Sequence, residues 1–160
     1  MNLTENRGRF LRLKNTEEII MTEIKELIKE ALKARLNSYS PYSGYRVGAA
    51  LLCKNGKVYR GCNIENASYG ATNCAERTAL FKAVSEGERE FSAIAIAGGR
   101  AEDDPEDLSD YAMPCGICRQ ALSEFDKSGE LLVVAARSVN EYKSFKLKEL
   151  LPESFDSSVL

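Results

Sequence analysis

Apolar residues at Ile20, Ile24, Leu27, Ile28 and Ala31 recur at helical spacing and predict an amphipathic helix that stops near Asn37-Ser38, ahead of Pro41. The period then shortens. Residues 47–53 and 58–63 read as strands, separated by Lys54-Asn55-Gly56-Lys57, an Asn-Gly hairpin signal. The type I′ register predicted from it sets Cys53 opposite Val58 and Cys62 opposite Ala49. Helical spacing returns at Leu80, Ala83 and Val84, inside a helix predicted over 74–86 with Gly87 as its stop. Residues 93–97 form a short apolar run, expected as a buried strand. A second helix is predicted over 115–125, a second buried strand over 131–136, and a short alternating strand over 144–147, followed by a short helix. The order is α-β-β-α-β-α-β-β-α, with each apolar strand following a helix. That order predicts an α/β fold with a mixed sheet and helices on both faces.

Composition narrows the function more than the fold. At 160 residues the chain can build one domain with a real core. The net charge is −2 and no basic patch stands out, which argues against a nucleic-acid partner and fits a neutral small molecule. No apolar run is long enough to span a membrane, and the polar N-terminus lacks the apolar stretch of a secretory signal. The cysteines are therefore expected in a reducing cytoplasm, where clusters bind metal rather than form disulfides. Cys53 and Cys62, on the hairpin, read as buried free thiols. The acid-rich stretch 98–113 holds Glu102, Asp103, Asp104, Glu106, Asp107 and Asp110, lacks the EF-hand pattern, and is expected to be a solvated loop.

Two short segments carry the chemistry: Asn73-Cys74-Ala75-Glu76-Arg77 and Pro114-Cys115-Gly116-Ile117-Cys118-Arg119-Gln120. Each precedes an apolar run with helical spacing, so each is read as a helix N-terminus. Unpaired N–H groups and the positive end of the helix dipole there favour thiolate over thiol. Three thiolates converging from two helix ends suit one tetrahedral zinc per chain, with an open fourth position of the catalytic kind. Glu76 lies about 200° round a regular helix from Cys74, yet at the first turn both can project past the helix end. The chain has no histidine, so Glu76 is the natural base. Zinc with three thiolates is left at −1. A guanidinium from Arg77 donating to sulfur, with the helix dipoles, would offset that charge. Asn63 and Glu65 alternate, so they share a face and can hydrogen-bond to a diol; on the residues alone, turn chemistry and a solvated acid are the favoured reading.

Cys-Ala-Glu followed by Pro-Cys-Gly-x-Cys-Arg-Gln resembles the cytidine deaminases of the three-cysteine, homotetrameric type, and the resemblance runs from about Met21 onward. It implies a three-layer α/β/α sandwich. It implies residues 1–20 as a mobile extension, with Met21 a possible alternative start, and 21–160 as one catalytic domain. The zinc ligands would be Cys74, Cys115 and Cys118, with Glu76 catalytic. The resemblance assigns Asn63 and Glu65 to the ribose 3′-hydroxyl, with Ala67, Tyr69 and Ala75 also against the substrate. A carboxylate at Glu65 would also repel a 3′-phosphate and favour free nucleosides. In Tyr39-Ser-Pro-Tyr-Ser-Gly-Tyr45, the last tyrosine would wall the pocket. The ending Leu150-Leu-Pro-Glu-Ser-Phe155 would place Phe155 over the base in a neighbouring subunit, so that sites are shared across a homotetramer. The implied reaction is hydrolysis of cytidine and 2′-deoxycytidine with release of ammonia, in pyrimidine salvage. Three alternatives stand beside it: a deaminase of a modified nucleoside, a thiol redox protein using Cys115 and Cys118, and a zinc module without catalysis.

Overall fold

The structure, a computed structural model, describes residues 16–160. The expected extension therefore lies mostly outside the described residues. Helix α1 (Thr16–Arg35) is followed by the antiparallel hairpin β1 (Tyr45–Cys53) and β2 (Val58–Cys62). Then come α2 (Ala75–Ser85), β3 (Phe91–Arg100), α3 (Gly116–Ser123), β4 (Leu132–Ala136), β5 (Tyr142–Lys146) and α4 (Leu147–Leu150). The sheet order is β2-β1-β3-β4-β5, and β3 with β4 is its parallel pair. Because β1 is antiparallel to both β2 and β3, the strands β2, β3 and β4 run the same way. Helices α2 and α3 are the crossovers between them. Both start from the carboxyl edge of the sheet, which brings their N-termini to one place.

Alternation along the strands sorts two cores. Ala49, Leu51 and Cys53 of β1 join Ile94, Ile96 and Val133 beneath Ala79, Leu80 and Leu122. Ala50, Ala93, Ala95, Ala97 and Val134 lie beneath Leu27, Ile28 and Ala31 of α1. The fold is thus the expected three-layer α/β/α sandwich, with α1 on one face and α2 and α3 on the other. The second helix sits very close to the hairpin. A Cβ built on Gly61 would come within 2.3 Å of the Ala79 backbone nitrogen and 2.4 Å of the Ala75 carbonyl oxygen. Only glycine allows this approach, and it seats the first turn of α2, and with it Cys74, against the end of β2.

The structure corrects two expectations for the hairpin. The hairpin register is shifted by one residue: Leu52 faces Val58 and Gly48 faces Cys62. The loop has three residues. Gly56 N–H donates to the Cys53 carbonyl at 2.9 Å, and Gly56 takes the left-handed conformation, at φ +88°. This is the glycine-bulge hairpin rather than the two-residue type. Cys53 remains buried, while Cys62 is half-buried and donates to the Asn37 carbonyl at 3.4 Å; all five cysteines are free thiols. The acidic loop is exposed along most of its acids, as expected, and is pinned to the domain at several points. Leu108 is fully buried, with its N–H donating to the Arg137 carbonyl at 3.0 Å and its carbonyl accepting from Arg137 Nε at 2.6 Å. Asp103 accepts from the Arg100 N–H at 2.8 Å and from Ser109 Oγ at 2.9 Å. The buried Arg35 guanidinium donates to the Arg100 carbonyl. No helix among the described residues is long and apolar enough to cross a membrane.

Candidate metal centre

Cys74 and Cys115 are the N-cap residues of α2 and α3. Neither side chain caps its own helix, so both sulfurs are left for another partner. The helices begin regardless, with Thr78 N–H on the Cys74 carbonyl and Arg119 N–H on the Cys115 carbonyl, each at 3.0 Å. Cys118 comes one turn later and is buried. The Cys74 and Cys115 sulfurs lie 3.8 Å apart, those of Cys115 and Cys118 3.5 Å, and all three lie within 4.8 Å of one another. Tetrahedral zinc with Zn–S bonds of about 2.3 Å needs sulfurs about 3.8 Å apart. The spacing therefore fits one such ion, and the all-sulfur donor set suits a soft or borderline metal.

Charge in the cluster is uneven. The Cys74 thiol is lowered to about 5, chiefly by a hydrogen bond from Cys118; burial opposes this, and bonds from Arg77 and Cys115 support it. Arg77 Nη2 stands 3.8 Å from the Cys74 sulfur. Cys118 is pushed the other way, by its bond to Cys74 and by burial. Two of these thiols cannot ionise together without a cation between them. Glu76, only 4% exposed, is raised to about 7, first by burial and then by the charge on Cys74. A carboxyl poised there can take up and release a proton near neutrality.

The segment 63–65 is stitched into the same region. Ile64 and Asn73 exchange backbone hydrogen bonds at 2.9 Å each way, and Asn73 directly precedes Cys74. Glu65 accepts from the Tyr42 N–H at 2.8 Å, the Ser43 N–H at 3.2 Å and Ser43 Oγ. These bonds, the Ser43 hydroxyl first, hold its carboxyl below the usual range. A concavity of about 370 Å³ opens beside it, lined by Tyr42, Ser43, Glu65, Tyr69 and Thr72. The Tyr42 and Tyr69 rings meet edge-on at 5.9 Å. Asn63 is more committed. Its Oδ1 accepts from the Val47 N–H at 2.8 Å and from Ser38 Oγ, and its Nδ2 donates to the Tyr45 carbonyl at 2.9 Å. One amide hydrogen is left over. A larger concavity of about 690 Å³, between α1 and the hairpin around Glu23, Glu26 and Val58, holds none of the expected site residues.

Residues 21–135 match the family model described as the cytidine and deoxycytidylate deaminase zinc-binding region. The chain belongs to this family. All three cysteines and Glu76 fall within the match. The cytidine deaminase of Halalkalibacterium halodurans is 49% identical over 129 residues, covering 81% of this chain and 91% of that one. The cytidine deaminase of Sporosarcina psychrophila is 43% identical, covering 86% and 95%. Among solved structures, the cytidine deaminase of Burkholderia pseudomallei superposes with a TM-score of 0.72 at 45% identity, covering 81% of this chain and 97% of that one.

The remaining expected residues of this deaminase-family chain fall around the cluster in different ways. Tyr45 begins β1 on the face that carries α2 and, with Val47 and Ala112, fills the space a side chain at Gly98 would need. Ala75 is the first, fully buried residue of α2, whereas Ala67 lies exposed on the loop before it. Tyr69 is 76% exposed and Phe155 62% exposed within the single chain, so most of each side chain is left uncovered there. Sequence reasoning missed Tyr42, which lines the concavity, and gave Arg119 and Gln120 no role beyond the motif. Their position in the motif was visible; their contacts, to residues 31 and 35 positions away, were not.

Proposed function

We propose that the chain hydrolyses cytidine and 2′-deoxycytidine to uridine and 2′-deoxyuridine, releasing ammonia, with one zinc held by Cys74, Cys115 and Cys118. The observation that carries this is the meeting of three sulfurs at spacing that fits one tetrahedral ion, in a family-matched site that also holds the buried Glu76 carboxyl. The zinc, when bound, supplies Lewis acidity that lowers the pKa of water toward about 7. Glu76 removes a proton from the attacking water and delivers it to ring N3, which makes C4 electrophilic. It then carries the second proton to the departing amine. One residue serves both steps because its protonation state alternates. Arg77 and the two helix N-termini support the thiolate charge.

Glu65, with the spare Asn63 hydrogen, binds the ribose 3′-hydroxyl. Tyr45, Ala67, Tyr69 and Ala75 bound the nucleoside. Replacing Glu65 with Gln is expected to raise KM for cytidine by about tenfold or more, the scale of a charged hydrogen bond, with kcat changed less. The same contact predicts that the unmodified enzyme discriminates against 3′-deoxycytidine and that Glu65→Gln erases the difference. Equal steady-state constants for cytidine and 3′-deoxycytidine in the unmodified enzyme would remove Glu65 from the sugar site and favour a modified-nucleoside substrate.

The exposed Phe155 covers the base of a neighbouring subunit in a homotetramer. Sedimentation is expected to give the mass of four chains; a fully active monomer would end the shared-site reading. Five free thiols suit a reducing cytoplasm, and nucleoside products suit pyrimidine salvage.

A further inference from the structure

Arg119 and Gln120 directly follow the third cysteine, and the chemistry above uses neither. Arg119 is half-buried and reaches back across the start of α3. Its Nε donates to the Pro114 carbonyl at 2.8 Å, and its Nη1 donates to the Leu150 carbonyl at 2.7 Å. Pro114 is fully buried and is bonded through its peptide to Cys115. Leu150 ends α4. Gln120 Nε2 donates to the Phe155 carbonyl at 2.8 Å, holding the far end of the same tail. Between these ties, residues 152–154 are exposed, and Glu153 adopts the left-handed conformation at φ 52°.

We propose that Arg119 is a positioning residue that couples zinc occupancy to the placement of the C-terminal tail. The proposal rests on the zinc reading given above. A guanidinium presents several N–H donors in a fixed plane and stays charged, so one side chain can hold two carbonyls at a set angle. One of those carbonyls belongs to the turn that presents Cys115, and the other to the helix that launches the segment ending at Phe155. A metal that fixes the Cys115 turn fixes the first carbonyl and thereby the fork that meets the second. By linkage, whatever the metal adds to tail order, the ordered tail returns to metal affinity in the same factor. A lysine ammonium has three rotatable donors on a single nitrogen but no fixed planar fork, so it holds two carbonyls less rigidly.

The test measures hydrogen–deuterium exchange in the peptide 147–156 of the full chain, with and without zinc, in the unmodified protein, Arg119→Met and Arg119→Lys. Zinc affinity is measured in parallel by competition with a chromogenic chelator. Zinc removal is expected to speed exchange in 147–156 of the unmodified protein severalfold. In Arg119→Met, exchange is expected to be fast in both states and zinc affinity to fall by about tenfold, the scale seen when outer groups around metal ligands are lost. Arg119→Lys should restore less than half of the coupling. Exchange in 147–156 of the unmodified protein that ignores zinc would overturn the proposal, even if Arg119→Met fails to fold. So would a zinc response in folded Arg119→Met equal to that of the unmodified protein. A chain that binds no zinc at all would instead overturn the zinc reading itself, and metal-dependent cytidine turnover with an indifferent tail would overturn the coupling alone.

Discussion

Glu76→Gln is expected to keep one zinc per chain and to lose cytidine turnover by about 10²–10⁴-fold, the range of positioned acid–base groups. The substitution is close to isosteric at a buried position, so the packing around it is kept. What it cannot do is change protonation state. It cannot accept the proton of the attacking water, cannot hand it to N3, and cannot supply one to the leaving amine. The loss should appear in kcat, with KM for cytidine little changed, because the sugar contacts at Glu65 are untouched. Single-turnover kinetics with zinc content measured on the same sample checks this. A variant that retains metal and a substantial kcat would remove Glu76 from the proton path.

Cys118→Ala should strip the metal instead. Cys118 is fully buried in the first turn of α3, so the change leaves a void of about one sulfur atom and two ligands for an ion that binds four groups. The helix keeps its anchor, since Leu122 is buried in the core beneath it. The expected product is folded, free of zinc after dialysis against a mild chelator, and inactive to the limit of detection. Glu76 remains in place in it. The pair of variants thus separates the two halves of the site: one keeps metal without proton transfer, and the other keeps the carboxyl without metal. Cys118→Ala with a full complement of zinc and normal turnover would mean that the ion is held elsewhere.

The order of elements was legible because their periods differ. Ile24, Leu27, Ile28 and Ala31 step at helical spacing, while the apolar runs around Ile94 and Val133 are too short for helices and too continuous for a half-exposed strand. The metal cluster was legible because both cysteine motifs stand at helix starts, and parallel crossovers leave from one sheet edge. The hairpin register was not. Asn-Gly supports both a two-residue and a three-residue loop, and the choice lies in whether Asn55 or only Gly56 takes positive φ. Leu108 was hidden because one apolar residue among acids has no period. Its burial depends on Arg137, a residue of the segment after β4. Asn63 looked like a free amide in sequence, yet three of its hydrogen-bonding positions are taken by Ser38, Tyr45 and Val47, contacts made only when the hairpin closes.

The most direct test of the central claim is the ultraviolet absorbance of cytidine incubated with the purified chain, before zinc removal, after it, and after zinc is returned. The account predicts that the cytidine band is lost with the metal present, persists without it, and is lost again on re-addition, with one ammonia released per cytidine. An unchanged band from protein carrying one zinc per chain would contradict the assignment of substrate, and loss of the band without metal would contradict the assignment of the three cysteines.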